Sequence, residues 1–345
     1  MAPPLRVAVI GAGVSGLATA RALKKEGQQV VVYEKLNQLG GLWVYEPQVE
    51  SDPLSLDPNR EIVHGSMYQS LRTNLPRQLM GFSDYPFAIR ERVDLRTFPS
   101  HEEMLEFLKE FAREFGLAEL IRFETEVVRV EQMDSRNHKW IVESRKNDSS
   151  SNSKSKEIFD AVVIVVVIGD GTSGKDISLE ISKVAKEVHL SSRSSNIKIC
   201  KLDCGDNMWQ HSKRFKYDFP FLNTEGFVTV DDNRVEPLYK HIFPPELAPS
   251  LSFVGITFQG LIILMMDLQA KWVARVLSGK ASLPSKEDML AEVQHHYQYM
   301  EDNGIPKHYT HGLGYKKVVV TAHLLDSLDA QPQLTAAADF GPLVE

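Results

Sequence analysis

The sequence predicts an α/β protein built on two glycine-loop βαβ units. Three observations predict it. Residues 5–35, LRVAVIGAGVSGLATARALKKEGQQVVVYEK, read as a buried strand, a glycine turn, a helix with Ala/Leu spacing that ends near Gly27, and a second strand ending at Glu34. Residues 165–193 repeat the order, with VVVIGDGTSG opening a helix and VHLSSR following as a short strand. Between the two units the run AVVIVVVI at 161–168 holds eight apolar residues, enough at ~3.3 Å each for one buried strand and too few for two strands and a turn. Both units are Rossmann-like.

The remaining elements follow in order. Residues 40–92 are rich in Pro, Gly, Ser and Asn and long for a connection, so they are expected to be a functional loop region. Ser100 is placed to cap a helix over HEEMLEFLKEFAREFGL, in which Met104, Leu108, Phe111 and Phe115 share one face. RFETEVVRVEQ and KWIVESR read as consecutive strands, KNDSSSNSKSKE as a polar hairpin loop, and IFDAVVI as the next strand. The stretch 194–218 shows no clear period. SLSFVGI at 250–256 reads as a strand, 260–277 as a helix closed by Gly279, and Ser285 with Asp288 opens a last helix that ends near Gly304.

The 345 residues are 43% hydrophobic and 25% charged, a soluble globular composition with room for two domains. The formal charge of −7 carries no basic block, so nucleic acid and anionic membranes are not expected partners. LIILMM at 261–266 is too short to span a bilayer, and residue 5 enters a strand with no leader before it, which makes a cytoplasmic location the expectation. The two cysteines, Cys200 and Cys204, match neither a zinc ribbon nor a C-x-x-C pair. They read as two thiols rather than as metal ligands with His211, and no metal site is expected.

The chemistry lies in the glycine loops. Gly11, Gly13 and Gly16, with Ala12, Val14 and Ser15 between them, form G-x-G-x-x-G straight after a strand and at the start of a helix. Gly11 allows the tight turn, Gly13 lets the backbone approach a pyrophosphate, Gly16 lets helix pack on strand, and the helix N-terminus favours negative charge. Glu34, 18 residues past Gly16, stands where a carboxylate accepts ribose hydroxyls, so this site suits FAD or NAD. In the second loop Gly169, Gly171 and Gly174, with Thr172 and Ser173, repeat the pattern, and Arg193 stands 19 residues past Gly174. A cation there pairs with a 2′-phosphate and suits NADP, or else is a solvated surface arginine; Asp170 puts a carboxylate inside the loop. Two dinucleotide sites in one chain imply electron transfer from a nicotinamide to a flavin.

GAGVSGLATA, YEK, GGLW at 40–43, MYQSLRTNLPRQLMGFSDYPF at 67–87 and GDGTSGKDIS together resemble the flavin-containing monooxygenases. RVEPLYKHIFPPELAPSLSFVGI and QAKWVARVLSGKASLP resemble the plant glucosinolate S-oxygenase-like group of that family. The resemblance implies that FAD, reduced by NADPH, captures O2 as a flavin C4a-hydroperoxide. One oxygen atom then passes to a soft nucleophile of a small-molecule substrate, such as the thioether sulfur of a methylthioalkyl glucosinolate. It implies that Asn74 is the asparagine that hydrogen-bonds near flavin and nicotinamide, though on its own residues Asn74 reads as a turn residue before Leu75-Pro76. It also implies that Gly41, Leu42 and Trp43 lie against the flavin side of FAD, and that the Val127 backbone lies near the adenine.

The same resemblance implies a division into residues 1–164 as the first part of an FAD-binding domain, 165–213 as a truncated NADP-binding unit inserted in it, and 214–345 as the return to the FAD domain with C-terminal helices. Two family segments have no counterpart: one carrying Asn-Gly-His and the fingerprint F-x-G-x-x-x-H-x-x-x-F/Y, and one ending in Thr-Gly-Tyr. The opening of the second unit therefore reads as two strands joined at a deletion. An inactive FAD-binding chain, or one that passes electrons from NADPH to oxygen and releases peroxide, stands as the alternative.

Overall fold

The structure is a computed structural model that describes residues 3–45, 69–87, 96–133, 139–146, 154–166, 188–192, 200–201, 208–212, 217–258 and 261–313. Its centre is a five-stranded sheet, all parallel. The strands are β1 (Arg6–Ile10), β2 (Gln29–Tyr33), β3 (Ile121–Arg122), β7 (Ala161–Val165) and β14 (Leu251–Val254), in the order β14-β7-β1-β2-β3. A parallel sheet is buried on both faces, which is why its strands read as continuous apolar runs rather than as alternations. Val7 and Val9 of β1 and Val163 of β7 join one core, while Ala8, Val162 and Ile164 join the other.

The first core is closed by helices α1 (Val14–Lys25), α2 (His101–Glu114) and α3 (Ile262–Leu277). The α2 start is a capping box: the Ser100 hydroxyl accepts the Glu103 N–H at 3.3 Å, and the Glu103 carboxylate accepts the Ser100 N–H at 2.9 Å. Such a cap stabilises a helix by about 1 kcal/mol. The predicted apolar face is in place, with Phe111 stacked on Phe82 at a ring separation of 4.2 Å. Helix α4 (Lys286–Asp302) begins, as the sequence predicts, on a Ser285 cap of the Asp288 N–H.

The second core lies under a four-stranded sheet of β4 (Thr125–Gln132), β5 (Trp140–Lys146), β6 (Lys154–Phe159) and β11 (Leu222–Asn223), in the order β11-β4-β5-β6. Here the structure differs from the sequence reading. IFDAVVI is not one strand: β6 ends at Phe159 in this sheet and β7 begins at Ala161 in the parallel one. Asp160 makes the crossing, its N–H donating to the Arg6 carbonyl and its Oδ2 accepting the Arg6 N–H, both at 2.8 Å. The KSKE end of the expected polar loop is strand, because Lys154 and Lys156 both pair with Glu143 across the ladder at 3.5 and 3.3 Å.

Between β7 and β14 the chain leaves the parallel sheet and returns to the position beside β7. In this interval β8 (Val188–Ser192), β9 (Cys200–Lys201) and β10 (Met208–Ser212) form their own sheet, ordered β8-β10-β9. The first matches the predicted VHLSSR strand; the other two fall where no period is visible in the sequence. β12 (Thr229–Asp231) and β13 (Arg234–Glu236) make a hairpin. The described part of the expected 161–168 strand ends at Val165, and Val166 N–H still donates to the Val254 carbonyl at 2.9 Å. Among the described residues, no helix is long and apolar enough to cross a membrane.

Candidate cofactor site

The strand order reverses at β1, with β2 on one side and β7 on the other. In parallel sheets ligands enter at the carboxyl ends of strands beside such a reversal. Here that crevice holds the first glycine loop. Gly11 sits at φ 106° and donates its N–H to the Tyr33 carbonyl at 2.8 Å, extending the β1–β2 ladder by one rung before the chain turns into α1. A methyl on Gly16 would lie 1.9 Å from the Gly11 carbonyl oxygen, so helix and strand approach to a distance only glycine permits.

Helix α1 starts on Gly13, which offers no side-chain cap, and its first turn holds no acidic residue. The helix end therefore keeps its N–H groups and its partial positive charge for an outside anion. The Ser15 hydroxyl, in that first turn, is buried and has no hydrogen-bond partner among the described residues. A buried hydroxyl without a partner costs free energy, and a phosphate oxygen of a bound dinucleotide would satisfy it. Opposite the loop stands the turn of Gly41–Trp43, tied to it by a Gly40 N–H to Ala12 carbonyl bond of 3.0 Å. Trp43 is half-buried and packs on the core beside it. The donor set fits the diphosphate side of a dinucleotide.

Glu34, at the end of β2, is buried. Its Oε2 accepts the Ala12 N–H at 2.7 Å and its Oε1 the Leu36 N–H at 2.9 Å. Burial pushes this carboxyl above its usual range, against the Leu36, Ala12 and Lys35 backbone N–H groups. Each carboxylate oxygen retains acceptor capacity for a ribose hydroxyl. The Thr125 N–H donates to the Glu34 carbonyl at 2.8 Å, which brings the start of β4 to the end of β2. The β4–β5 register shifts between Val127 and Arg129, and a bulge of this kind leaves backbone groups off the ladder.

Asn74 is exposed on the turn before Arg77–Leu79. Its neighbours are pinned: Thr73 N–H donates to the Pro99 carbonyl at 3.0 Å and Arg77 N–H to the Thr97 carbonyl at 2.9 Å. The buried Arg77 guanidinium pairs with Glu103 at 3.1 Å. Gly169, Gly171, Thr172, Ser173, Gly174 and Arg193 lie outside the described residues.

Two groups escaped the sequence reading. Gly255, one residue past β14, sits at φ 94°; a methyl there would lie 2.1 Å from the Val166 carbonyl oxygen and 2.6 Å from the Ser15 hydroxyl. In sequence it shows only as a glycine near the end of the apolar run at 250–256. The other is a histidine group. His311 Nδ1 lies 3.1 Å from His241 Nδ1, and the His241 ring stands edge-on to His296, with centroids 5.8 Å apart. No spacing in the sequence announces this contact among three elements. Among the described residues no cluster of His, Cys, Asp or Glu is arranged to hold a metal ion.

A model of the Flavin-binding monooxygenase-like family matches residues 5–166 and 207–339. The chain belongs to this family. It is a family of flavin-binding monooxygenases. Flavin-containing monooxygenase FMO GS-OX5 of Arabidopsis thaliana is 44% identical over 399 residues, covering 95% of this chain and 86% of its own length. Flavin-containing monooxygenase FMO GS-OX-like 2 of the same plant is 45% identical, covering 88% of this chain and 80% of its own. Among solved structures, the S-allyl-L-cysteine S-oxygenase of Allium sativum superposes with a TM-score of 0.82 at 40% identity, covering 94% of this chain and 88% of that one. Tmm of Pelagibacter sp. strain HTCC7211, at 23% identity and a TM-score of 0.67, shares the fold.

Proposed function

We propose that the chain is an NADPH- and FAD-dependent monooxygenase of the cytoplasm that passes one oxygen atom of O2 to the thioether sulfur of a small molecule, of the methylthioalkyl glucosinolate class. The observation that carries the flavin half is the buried, unpartnered Ser15 hydroxyl at an uncapped helix start. The thioether is supported by likeness to the S-allyl-L-cysteine S-oxygenase over 94% of the chain.

In this reading the backbone of Gly11–Gly16 and the Ser15 hydroxyl hold the diphosphate, Glu34 accepts the ribose hydroxyls, and Val127 presents its backbone to the adenine. Gly41, Leu42 and Trp43 line the flavin side. Asn74 donates its neutral amide toward the reacting centre, where it offers a hydrogen bond without an acidic proton. Bound FAD supplies the electron transfer from NADPH to O2. Gly169, Gly171, Thr172, Ser173 and Gly174 cradle the NADPH diphosphate and Arg193 its 2′-phosphate.

A second reading, an FAD-binding chain without oxygenase activity or one that releases peroxide from NADPH and O2, is favoured by two observations. The family match breaks off at residue 166 and resumes at 207, across the proposed NADP unit of 165–213. The alignment with FMO GS-OX5 runs over 399 positions against a chain of 345 residues, so that relative carries residues for which this chain has no counterpart. The test is an anaerobic absorbance spectrum of the purified protein before and after NADPH, followed by aerobic turnover with a methylthioalkyl glucosinolate. Flavin bands that bleach, and a substrate that gains one oxygen atom, support the monooxygenase. Flavin that does not bleach overturns it in favour of the inactive chain, and bleaching with stoichiometric peroxide and no sulfoxide favours the oxidase.

A further inference from the structure

We infer that Gln269 is a positioning residue for the cofactor loop, acting through Gly255 on Ser15; the inference rests on the FAD reading of the first glycine loop. Gln269 lies in the middle of α3, 2% exposed, between the buried Leu268 and Ala270. An amide so placed is costly unless its polar atoms are satisfied, and an apolar residue would fill the position at less cost. The Gln269 Oε1 accepts the Gly255 N–H at 3.0 Å, and its Nε2 lies 3.5 Å from the Thr257 hydroxyl.

The Gly255 N–H needs this partner. The β7–β14 ladder ends at Val254, whose carbonyl takes the Val166 N–H, and Gly255 then turns away at φ 94°. At that turn the ends of two strands and the first turn of α1 converge: the Gly255 backbone passes so close to the Val166 carbonyl and the Ser15 hydroxyl that no side chain fits between them. Gln269 thus fixes where the backbone of Gly255 stands, and Gly255 is the wall against which the Ser15 hydroxyl, in the first turn of α1, is packed. A helix far along the chain sets the geometry of the first glycine loop.

The experiment compares the full chain with Gln269→Leu, Gln269→Glu and a control, Val273→Ala, which opens the core one turn along the same helix. FAD affinity is measured by titrating flavin-free protein with FAD, and the melting temperature of each flavin-free protein is measured separately. Gln269→Leu is expected to weaken FAD about tenfold, the effect of one buried hydrogen bond lost. Gln269→Glu keeps an oxygen acceptor for the Gly255 N–H and is expected to stay within about threefold of the parent. Val273→Ala is expected to lower the melting temperature and leave FAD affinity alone. Parent-like FAD affinity in Gln269→Leu, or an equal loss in Val273→Ala, reduces Gln269 to a core residue and overturns the inference. If Gln269→Leu gives no soluble protein, Gln269→Met against Gln269→Glu decides by the same comparison. A parent chain that takes up no FAD at all overturns the flavin reading and this inference with it, an outcome distinct from parent binding with unchanged variants.

Discussion

Gly13 and Gly41 face each other across the crevice so closely that a methyl on Gly41 would lie 2.9 Å from the Gly13 α-carbon. Two turns 28 residues apart in sequence thus form one cradle, and its width is set by the absence of a side chain at Gly41. Gly41→Ala tests the cradle. Its φ of 55° is in the left-handed region, which costs alanine about 1 kcal/mol, and the contact forces the two turns apart. The expected outcome is a stability loss of about 1–2 kcal/mol in urea unfolding and a purified protein with little bound flavin.

Glu34 serves both stability and binding. Both of its oxygens accept backbone N–H groups, so in Glu34→Gln the amide NH2 faces one N–H that it cannot accept, and the unfolding free energy of flavin-free protein is expected to fall by about 1–3 kcal/mol. FAD affinity is expected to fall about tenfold, because an amide NH2 replaces one of the two oxygens that receive ribose hydroxyls. Titration with FAD and urea unfolding, run on the same samples, check both halves.

Asp267 ties a turn to a helix. It is buried in α3, and its Oδ2 accepts the Ser83 N–H at 3.1 Å, the Ser83 hydroxyl at 2.7 Å and the Lys271 ammonium at 3.0 Å. Those bonds tie the 81–87 turn, which follows the Asn74 segment, to the same helix that carries Gln269. Asp267→Ala is expected to cost about 3 kcal/mol, since it strips three donors at once, and Asp267→Asn about half of that. Denaturant midpoints of the two variants test the order.

His311 makes stability depend on pH. It is fully buried, its Nε2 accepts the Val235 N–H at 3.0 Å, and its Nδ1 meets His241. Burial, then the charges of His296 and Arg234 nearby, push its pKa down to about 3. The unfolded chain takes up a proton near pH 6.5 while the folded chain stays neutral, so stability is full above that pH and falls as pH drops through the window toward about 3. The slope is bounded by about 1.4 kcal/mol per pH unit. The check is the difference between the parent and His311→Gln. The variant is expected to be less stable at pH 7.5 and to lose less between pH 6.5 and 5, read by urea unfolding at each pH.

The sequence by itself determined the first βαβ unit, because G-x-G-x-x-G after an apolar run and before a helical one leaves few other ways to bury both faces of the strand. It determined the two helix starts for the same local reason: Ser100 with Glu103 and Ser285 with Asp288 satisfy backbone groups within one turn of themselves. The apolar strands β1, β7 and β14 were legible as buried runs, because a parallel sheet asks the same of every residue. Only the tertiary structure decided that IFDAVVI divides at Asp160, since both halves are equally extended and the choice between two sheets is made by Arg6. It alone joined Ser15, Gly255 and Gln269, and likewise His241, His296 and His311. Each of those contacts is made by residues that share no local period, held together by packing whose partners lie far away along the chain.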